Sequence, residues 1–252
     1  MKFRYFIEIS YHGFKYHGWQ FQPKNISVQS VITKAISTIL QEEIEITGCG
    51  RTDAGVHAKF FVAHFDSKTD GLQTGNIVFR LNRFLPKDIA VHKFFRVKNE
   101  AHARFDAVSR TYNYLIIRNK NPFWQGLAYH NSTFLDFEIM NQACQVLYEY
   151  SDFTSFSKLH TDVKTNICKI HFAEWKQEGD ILKFTITADR FLRNMVRAIV
   201  GTMIEIGKSK ISINDFRNII EAKNRSEAGV SVPACGLYLV EIEYPEEIFA
   251  DL

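Results

Sequence analysis

Between Lys2 and Tyr11 apolar and polar side chains alternate. Phe3, Tyr5, Ile7, Ile9 and Tyr11 fall on one side and Lys2, Arg4, Glu8 and Ser10 on the other, a period of two that predicts a half-buried strand. The stretch that follows, YHGFKYHGWQFQ, repeats Tyr-His-Gly five residues apart, and its glycines predict tight bends in an ordered loop that carries aromatic rings. The period then changes. Val28, Ile32, Ala35, Ile36 and Ile39 recur at helical spacing, which predicts a helix from about Ser27 with one apolar stripe laid on a sheet. A short strand over Ile44 to Thr47 is expected to enter the Gly-rich segment GCGRTDAGVHA, and AKFFVAHF to leave it as a second strand.

Further along, the pattern predicts a helix over Thr74 to Phe84 and strands over Ile89 to Val97 and Thr111 to Ile117. A helix bearing Phe137, Met140, Cys144 and Leu147 follows, then strands over Ile167 to Trp175 and Leu182 to Ala188, two helices, and a last strand near Leu237 to Ile242. The expectation is two α+β halves, 1–108 and 109–252, sharing one continuous sheet. No Pro- or Ser-rich linker separates them, and no literal sequence repeat relates them.

The chain has 252 residues, 46% of them hydrophobic, enough to build a proper core rather than remain disordered. Its formal charge of +3 is far from that of a basic nucleic-acid tail, so any RNA surface must come from gathering cations in one groove. Cys49, Cys144, Cys168 and Cys235 form no Cys-x-x-Cys pair, which argues against a zinc site or a disulfide framework. The N-terminus lacks the unbroken apolar run of a secretory signal, and the hydrophobic run near Met195 is interrupted by Arg197 and Glu205. A cytoplasmic protein with reduced thiols and no membrane association is expected.

Three segments could carry chemistry. GCGRTDAGVHA lacks the spacing and the Gly-Lys-Ser/Thr ending of a phosphate-binding P-loop. Its glycines let a ligand approach the backbone, and Arg51 and Asp53, two apart, can share a site. A guanidinium beside a carboxylate favours the ionised form, which can act as nucleophile or base. On these residues alone, Asp53 serving an Asx turn is the commoner outcome.

In RTYNY, Tyr112 and Tyr114 share a strand face where one ring could stack on a base, although packing on a sheet explains such rings as well. In DRFLRNMVRAIVGTM, Arg190, Arg193 and Arg197 follow i, i+3, i+7, placing three guanidiniums on one helix face that either tracks phosphates or is a solvated stripe. His57, four residues after Asp53, finds no partner with metal-ligand spacing, and His12 and His17 carry no specific signal.

Together these segments resemble the tRNA pseudouridine synthase A family over nearly the whole chain: YHGFKYHGWQ with SVQ, GRTDAGVHA, LNRFLPKDIAV, HARFDAVSRTYNY, FLRNMVRAIVG and VPACGLYL. The resemblance implies an α+β pseudouridine synthase fold, two ferredoxin-like halves sharing a central, mostly antiparallel sheet, in a homodimer with a basic cleft. It implies Asp53 as the catalytic carboxylate with Arg197 beside it, Arg51 helping to hold the flipped nucleotide, and Tyr112 stacking on the target base. Arg190 and Arg193 are expected to hold substrate, the partner is tRNA modified in its anticodon stem-loop, and neither cofactor nor metal is required.

Cys49, Ser151 and Cys168 stand where the family more often has a small residue, His and Arg respectively. Two readings from other classes are a metal-dependent phosphohydrolase using Asp53 and His57, and a non-catalytic RNA-binding module in which Asp53 is dispensable.

Overall fold

In the computed structural model, which describes residues 2–158 and 165–249, the N-terminal alternation forms strand β1 (Phe3–Tyr11). Its odd positions from Tyr5 to Tyr11 are buried, as the pattern predicts. Phe6, from the polar side, is buried as well, because Tyr244, from near the other end of the chain, packs edge-on against it at 5.2 Å. Sequence periodicity is local and cannot register such a cover.

Helix α1 (Val28–Leu40) starts where the pattern places it. Ser27 caps it: its hydroxyl accepts from the Ser30 N–H, and the Ser30 hydroxyl accepts from the Ser27 N–H, both at 3.2 Å. Val28, Ile32, Ala35 and Ile36 are fully buried, and each of the larger three contributes about 1.5–3 kcal/mol relative to an exposed position.

Strand β2 is only Thr47–Gly48, shorter than expected. Ile44 and Ile46 are buried without joining a strand, and the Ile46 carbonyl is taken by the Gln29 side-chain amide at 2.7 Å instead of a neighbouring strand. The long strand β3 (His57–Ser67), helix α2 (Ile77–Phe84) and strand β4 (Ile89–Arg96) complete the series.

These elements belong to the first of two units, Met1–Val108 with Leu239–Leu252. Within it β1 pairs antiparallel with both β3 and β4, and β2 pairs antiparallel with β3. The lateral order β4-β1-β3-β2 with one helix after β1 and one after β3 is the split βαβ arrangement of ferredoxin-like folds.

The second unit, Ser109–Tyr238, holds β5 (Ser109–Ile117), the two-residue β6 (Tyr129–His130), α3 (Phe137–Val146), β7 (Ile170–Glu178), β8 (Ile181–Ala188), α4 (Met195–Gly207) and α5 (Ile213–Glu221). β8 lies antiparallel between β5 and β7, while β6 adds to β5 in parallel. α4 is buried almost all round, which explains why its sequence is hydrophobic without a clear polar face. β9 (Leu237–Glu243) carries the chain back to the first unit. The chain is thus α+β, with mostly antiparallel strands.

Candidate active site

Asp53 lies in the first unit, on the connection from β2 to β3. After Cys49, whose N–H donates to the Val62 carbonyl at 2.8 Å, the chain leaves the sheet. Val56 N–H closes a turn on the Asp53 carbonyl at 3.2 Å, and Gly55 takes a φ of 82° that disfavours any side chain.

The aromatic segment that precedes α1 forms the other wall. Trp19 N–H donates to the Thr52 carbonyl at 3.3 Å and Gly55 N–H to the Tyr16 carbonyl at 3.2 Å. Gly13 N–H donates to His57 Nδ1 at 3.1 Å. The repeated Tyr-His-Gly now has a reason: both of its glycines press their backbone on the Asp53 loop. A Cβ on Gly13 would stand 1.9 Å from the Val56 carbonyl oxygen, and one on Gly18 would stand 2.1 Å from that of Thr52.

Trp19 stacks on Phe61 with centroids 4.1 Å apart, and the indole fills the space beside Gly48, where a Cβ would come within 2.5 Å of Nε1. Arg51 is exposed, Thr52 buried and Asp53 half-buried, so the loop holds its middle residue in the core and leaves its neighbours accessible. Arg51 lines a pocket with Trp19, Gln20, Thr47, Gly50 and Arg104.

His57 is a core residue, 1% exposed, with its ring 4.5 Å from that of His12. Its Nδ1 accepts a backbone hydrogen bond, and burial holds the His12 ring below the usual histidine range. Among the described residues no group of three His, Cys, Asp or Glu is placed to hold a metal ion.

The remaining predicted residues lie in the second unit. Tyr112, half-buried on β5 opposite Ile186, meets Phe191 edge to face at 5.2 Å. Tyr114, two residues on, is fully buried and donates to the Pro233 carbonyl at 2.8 Å.

The arginine spacing misleads at one point. α4 begins at Met195, so Arg190 and Arg193 precede the helix and only Arg197 lies on it. Asn194 interrupts with a left-handed conformation, φ 68°. The backbone before it is held by other partners: Asp189 Oδ1 accepts from Arg190 N–H at 2.7 Å and from Lys169 N–H at 2.8 Å, and the Arg193 carbonyl accepts from Lys158 N–H at 3.0 Å. Phe191, in the same run, also precedes the helix.

Arg197 is clamped in the first turn of α4. Its Nε donates to the Val232 carbonyl at 2.8 Å, and Val232 N–H returns a bond to the Arg197 carbonyl at 3.2 Å. The clamp needs a bare helix surface one turn later, where a Cβ on Gly201 would stand 1.9 Å from the Val230 carbonyl oxygen.

Comparison with known proteins covers the whole of this arrangement. The chain is 57% identical over 247 residues to a tRNA pseudouridine synthase A of Bacteroides fragilis, spanning 98% of both chains. The chain belongs to the tRNA pseudouridine synthase A family. A relative so named from Porphyromonas gingivalis is 52% identical, over 98% of this chain and 99% of its own. One from Bacillus licheniformis is 40% identical, over 94% and 97%. The sequence family described as tRNA pseudouridine synthase matches residues 143–245.

As a member of the tRNA pseudouridine synthase A family, the chain carries more at this site than motif reading assigned. Arg104 shares the pocket of Arg51 although it lies in a separate segment, HARFD. The His102 ring accepts from the Arg104 and Phe105 N–H groups at 3.1 and 3.3 Å, and the Asp106 carboxylate accepts from His102 N–H at 2.7 Å. The signal was there in a His and an Asp bracketing an Arg-Phe pair, but such turn chemistry has no period to betray it.

Proposed function

We propose that this chain isomerises uridine to pseudouridine in tRNA, with the Asp53 carboxylate engaging the ribose of the target nucleotide. The observation that carries the reading is the identity of over half the residues along 98% of a chain named tRNA pseudouridine synthase A. The loop geometry supports it: Asp53 stays accessible on a segment fixed from both sides by backbone bonds, which is how a catalytic group is preorganised.

The reaction breaks the bond between ribose C1′ and uracil N1 and joins C1′ to C5. The carboxylate starts it either by attacking C1′, leaving uracil as an anion, or by taking the C2′ proton to give a glycal. In the first route the base turns, C5 attacks C1′ and Asp53 departs; in the second, uracil leaves as the glycal forms, and Asp53 returns the proton to C2′ as C5 joins C1′. In both, C5 loses its proton and N1 gains one, so the product is an isomer.

A stacked uridine hides C1′, so the nucleotide is flipped from its helix. Tyr112 then stacks on the base, Arg51 holds the flipped nucleotide, and Arg197 is the arginine that the family resemblance makes part of the catalytic set. Arg190 and Arg193 take RNA phosphates. The substrate region is the anticodon stem-loop and the working form a cytoplasmic homodimer without a cofactor.

The test is to incubate the pure protein with unmodified tRNA transcripts tritiated at uracil C5. Release of tritium from tRNA, mapped to anticodon stem-loop uridines, is the expected result. Release from another RNA but not from tRNA would overturn the substrate, and release from neither would overturn the activity.

A further inference from the structure

We infer that the pocket between Gly50, Arg51 and Arg104 is a binding site for an RNA backbone phosphate beside the target nucleotide, with Gly50 as the point of close approach. This rests on the reading of the chain as an RNA-modifying synthase and adds a subsite to it.

The glycines around the Asp53 loop divide by cause. Gly13, Gly18 and Gly48 are excluded from carrying a Cβ by atoms of the protein at 1.9–2.5 Å, and Gly55 is required by its positive φ. Gly50 has neither reason. A Cβ built on it meets nothing within 4 Å, and its φ lies outside the left-handed region. Folding does not need a glycine there, and glycine costs backbone entropy in the unfolded chain. What glycine offers at such a place is room for a ligand against the backbone.

The surroundings say which ligand. Gly50 lines a pocket whose charged lining residues are both arginines, Arg51 and Arg104, with Gln20, Gln29 and Thr47 adding polar groups. Two guanidiniums supply fork-shaped donors matched to a phosphate's oxygens. Arg51 is next but one to Asp53 in the chain, so a phosphate here belongs to the nucleotide being modified or to its neighbour.

Arg104 is also set in place. Its backbone N–H is held on His102 Nδ1, and Arg4, which grips Asp66 through two bonds of 2.7 and 2.8 Å, reaches the Ala101 carbonyl at 3.1 Å and anchors the start of the same turn. Beside it Phe105 is 74% exposed, with the Arg104 guanidinium 5.7 Å from its ring.

Three variants of the full chain test this: Gly50→Ala, Gly50→Leu and Arg104→Ala. The readouts are the tRNA dissociation constant against salt and the thermal midpoint. Gly50→Leu should weaken binding by about tenfold or more, the loss of one or two charge-assisted contacts, with Gly50→Ala between it and wild type. Both should keep the wild-type midpoint. Arg104→Ala should flatten the salt dependence by roughly 0.7 in log–log slope, the value for one phosphate of single-stranded RNA.

A methylphosphonate series through the anticodon loop supplies the second arm. One neutral linkage should weaken wild-type binding and have no further effect on Arg104→Ala. Wild-type affinity in Gly50→Leu, or an unchanged salt slope with additive methylphosphonate effects in Arg104→Ala, would overturn the inference. If Gly50→Leu fails to fold, the Arg104→Ala slope and the methylphosphonate cycle decide alone. Wild-type protein that forms no pseudouridine would instead overturn the function on which the subsite rests, so the two failures are distinguishable.

Discussion

The Tyr11 hydroxyl lies 2.9 Å from Thr52 Oγ1, so the residue before Asp53 hangs from the end of the N-terminal strand. Both groups are buried, and a buried hydroxyl pair left half-satisfied costs more than the bond itself contributes. Tyr11→Phe should therefore lower stability by about 1–3 kcal/mol, through the orphaned Thr52 hydroxyl. It should lower kcat more than it raises KM, because the loop that carries Asp53 is loosened while the RNA-facing side chains remain. Denaturant unfolding and steady-state kinetics check both parts, and wild-type kcat in a destabilised Tyr11→Phe would separate the hydrogen bond from catalysis.

Gly18 is the tightest contact of the aromatic segment on the Asp53 loop from a left-handed residue, with φ +80° and a would-be Cβ 2.1 Å from the Thr52 oxygen. Gly18→Ala must move one of the two segments, at a cost of about 1–3 kcal/mol for strain of this kind. A folded Gly18→Ala with a depressed thermal midpoint and at least a tenfold fall in kcat is expected. Full activity would show that the two segments need not hold their spacing.

His64 connects pH to stability. It is buried at 7% exposure, and its Nδ1 accepts from the Ala103 N–H at 3.2 Å. Burial first, then the charges of His102 and Arg4, push its pKa down from 6.5 to about 4, against the smaller pull of Asp66 and Asp106. The native pKa is below the unfolded one, so the unfolded chain takes the proton first. The contribution is complete above pH 6.5 and is lost as pH falls from there towards 4. The melting temperature should drop over that window, and His64→Asn, which keeps an acceptor for Ala103, should drop less. Parallel curves for the two proteins would contradict the assignment.

Arg197 is held through Nε on the Val232 carbonyl, a donor that fixes where the guanidinium lies. Lysine has no Nε–H in that position. Arg197→Lys should accordingly recover little of the activity lost in Arg197→Ala, while Arg197→Ala still binds tRNA. Rescue by lysine would mean that charge alone matters at this position and that the clamp is incidental.

Local rules made much of this chain legible. The Ser27 cap and the stripe Val28, Ile32, Ala35 and Ile36 are a self-contained message, and α1 begins where they say. What failed was non-local. Phe6 is buried by Tyr244, which lies 238 positions away along the chain. Arg190 and Arg193 kept helical spacing with Arg197, yet Asp189 and Lys158 hold their backbone outside the helix. At the site, the Arg-Thr-Asp segment could be picked out by its glycines, but the reason for the Tyr-His-Gly repeat could not: it requires seeing Gly13 and Gly18 against the Val56 and Thr52 carbonyls. HARFD was among the segments that carried the resemblance, but the place of Arg104 in the pocket could not be read from it, since its partners there come from separate segments.

The central claim is that one carboxylate does the chemistry, and Asp53→Asn isolates it, because the amide keeps the shape and removes the charge. The decisive measurement is nucleotide-resolution pseudouridine mapping of tRNA incubated with wild type and Asp53→Asn at enzyme concentrations above the dissociation constant of each. Pseudouridine with the wild type and none with an Asp53→Asn protein that still binds tRNA is the predicted result. Pseudouridine formed by Asp53→Asn would contradict it.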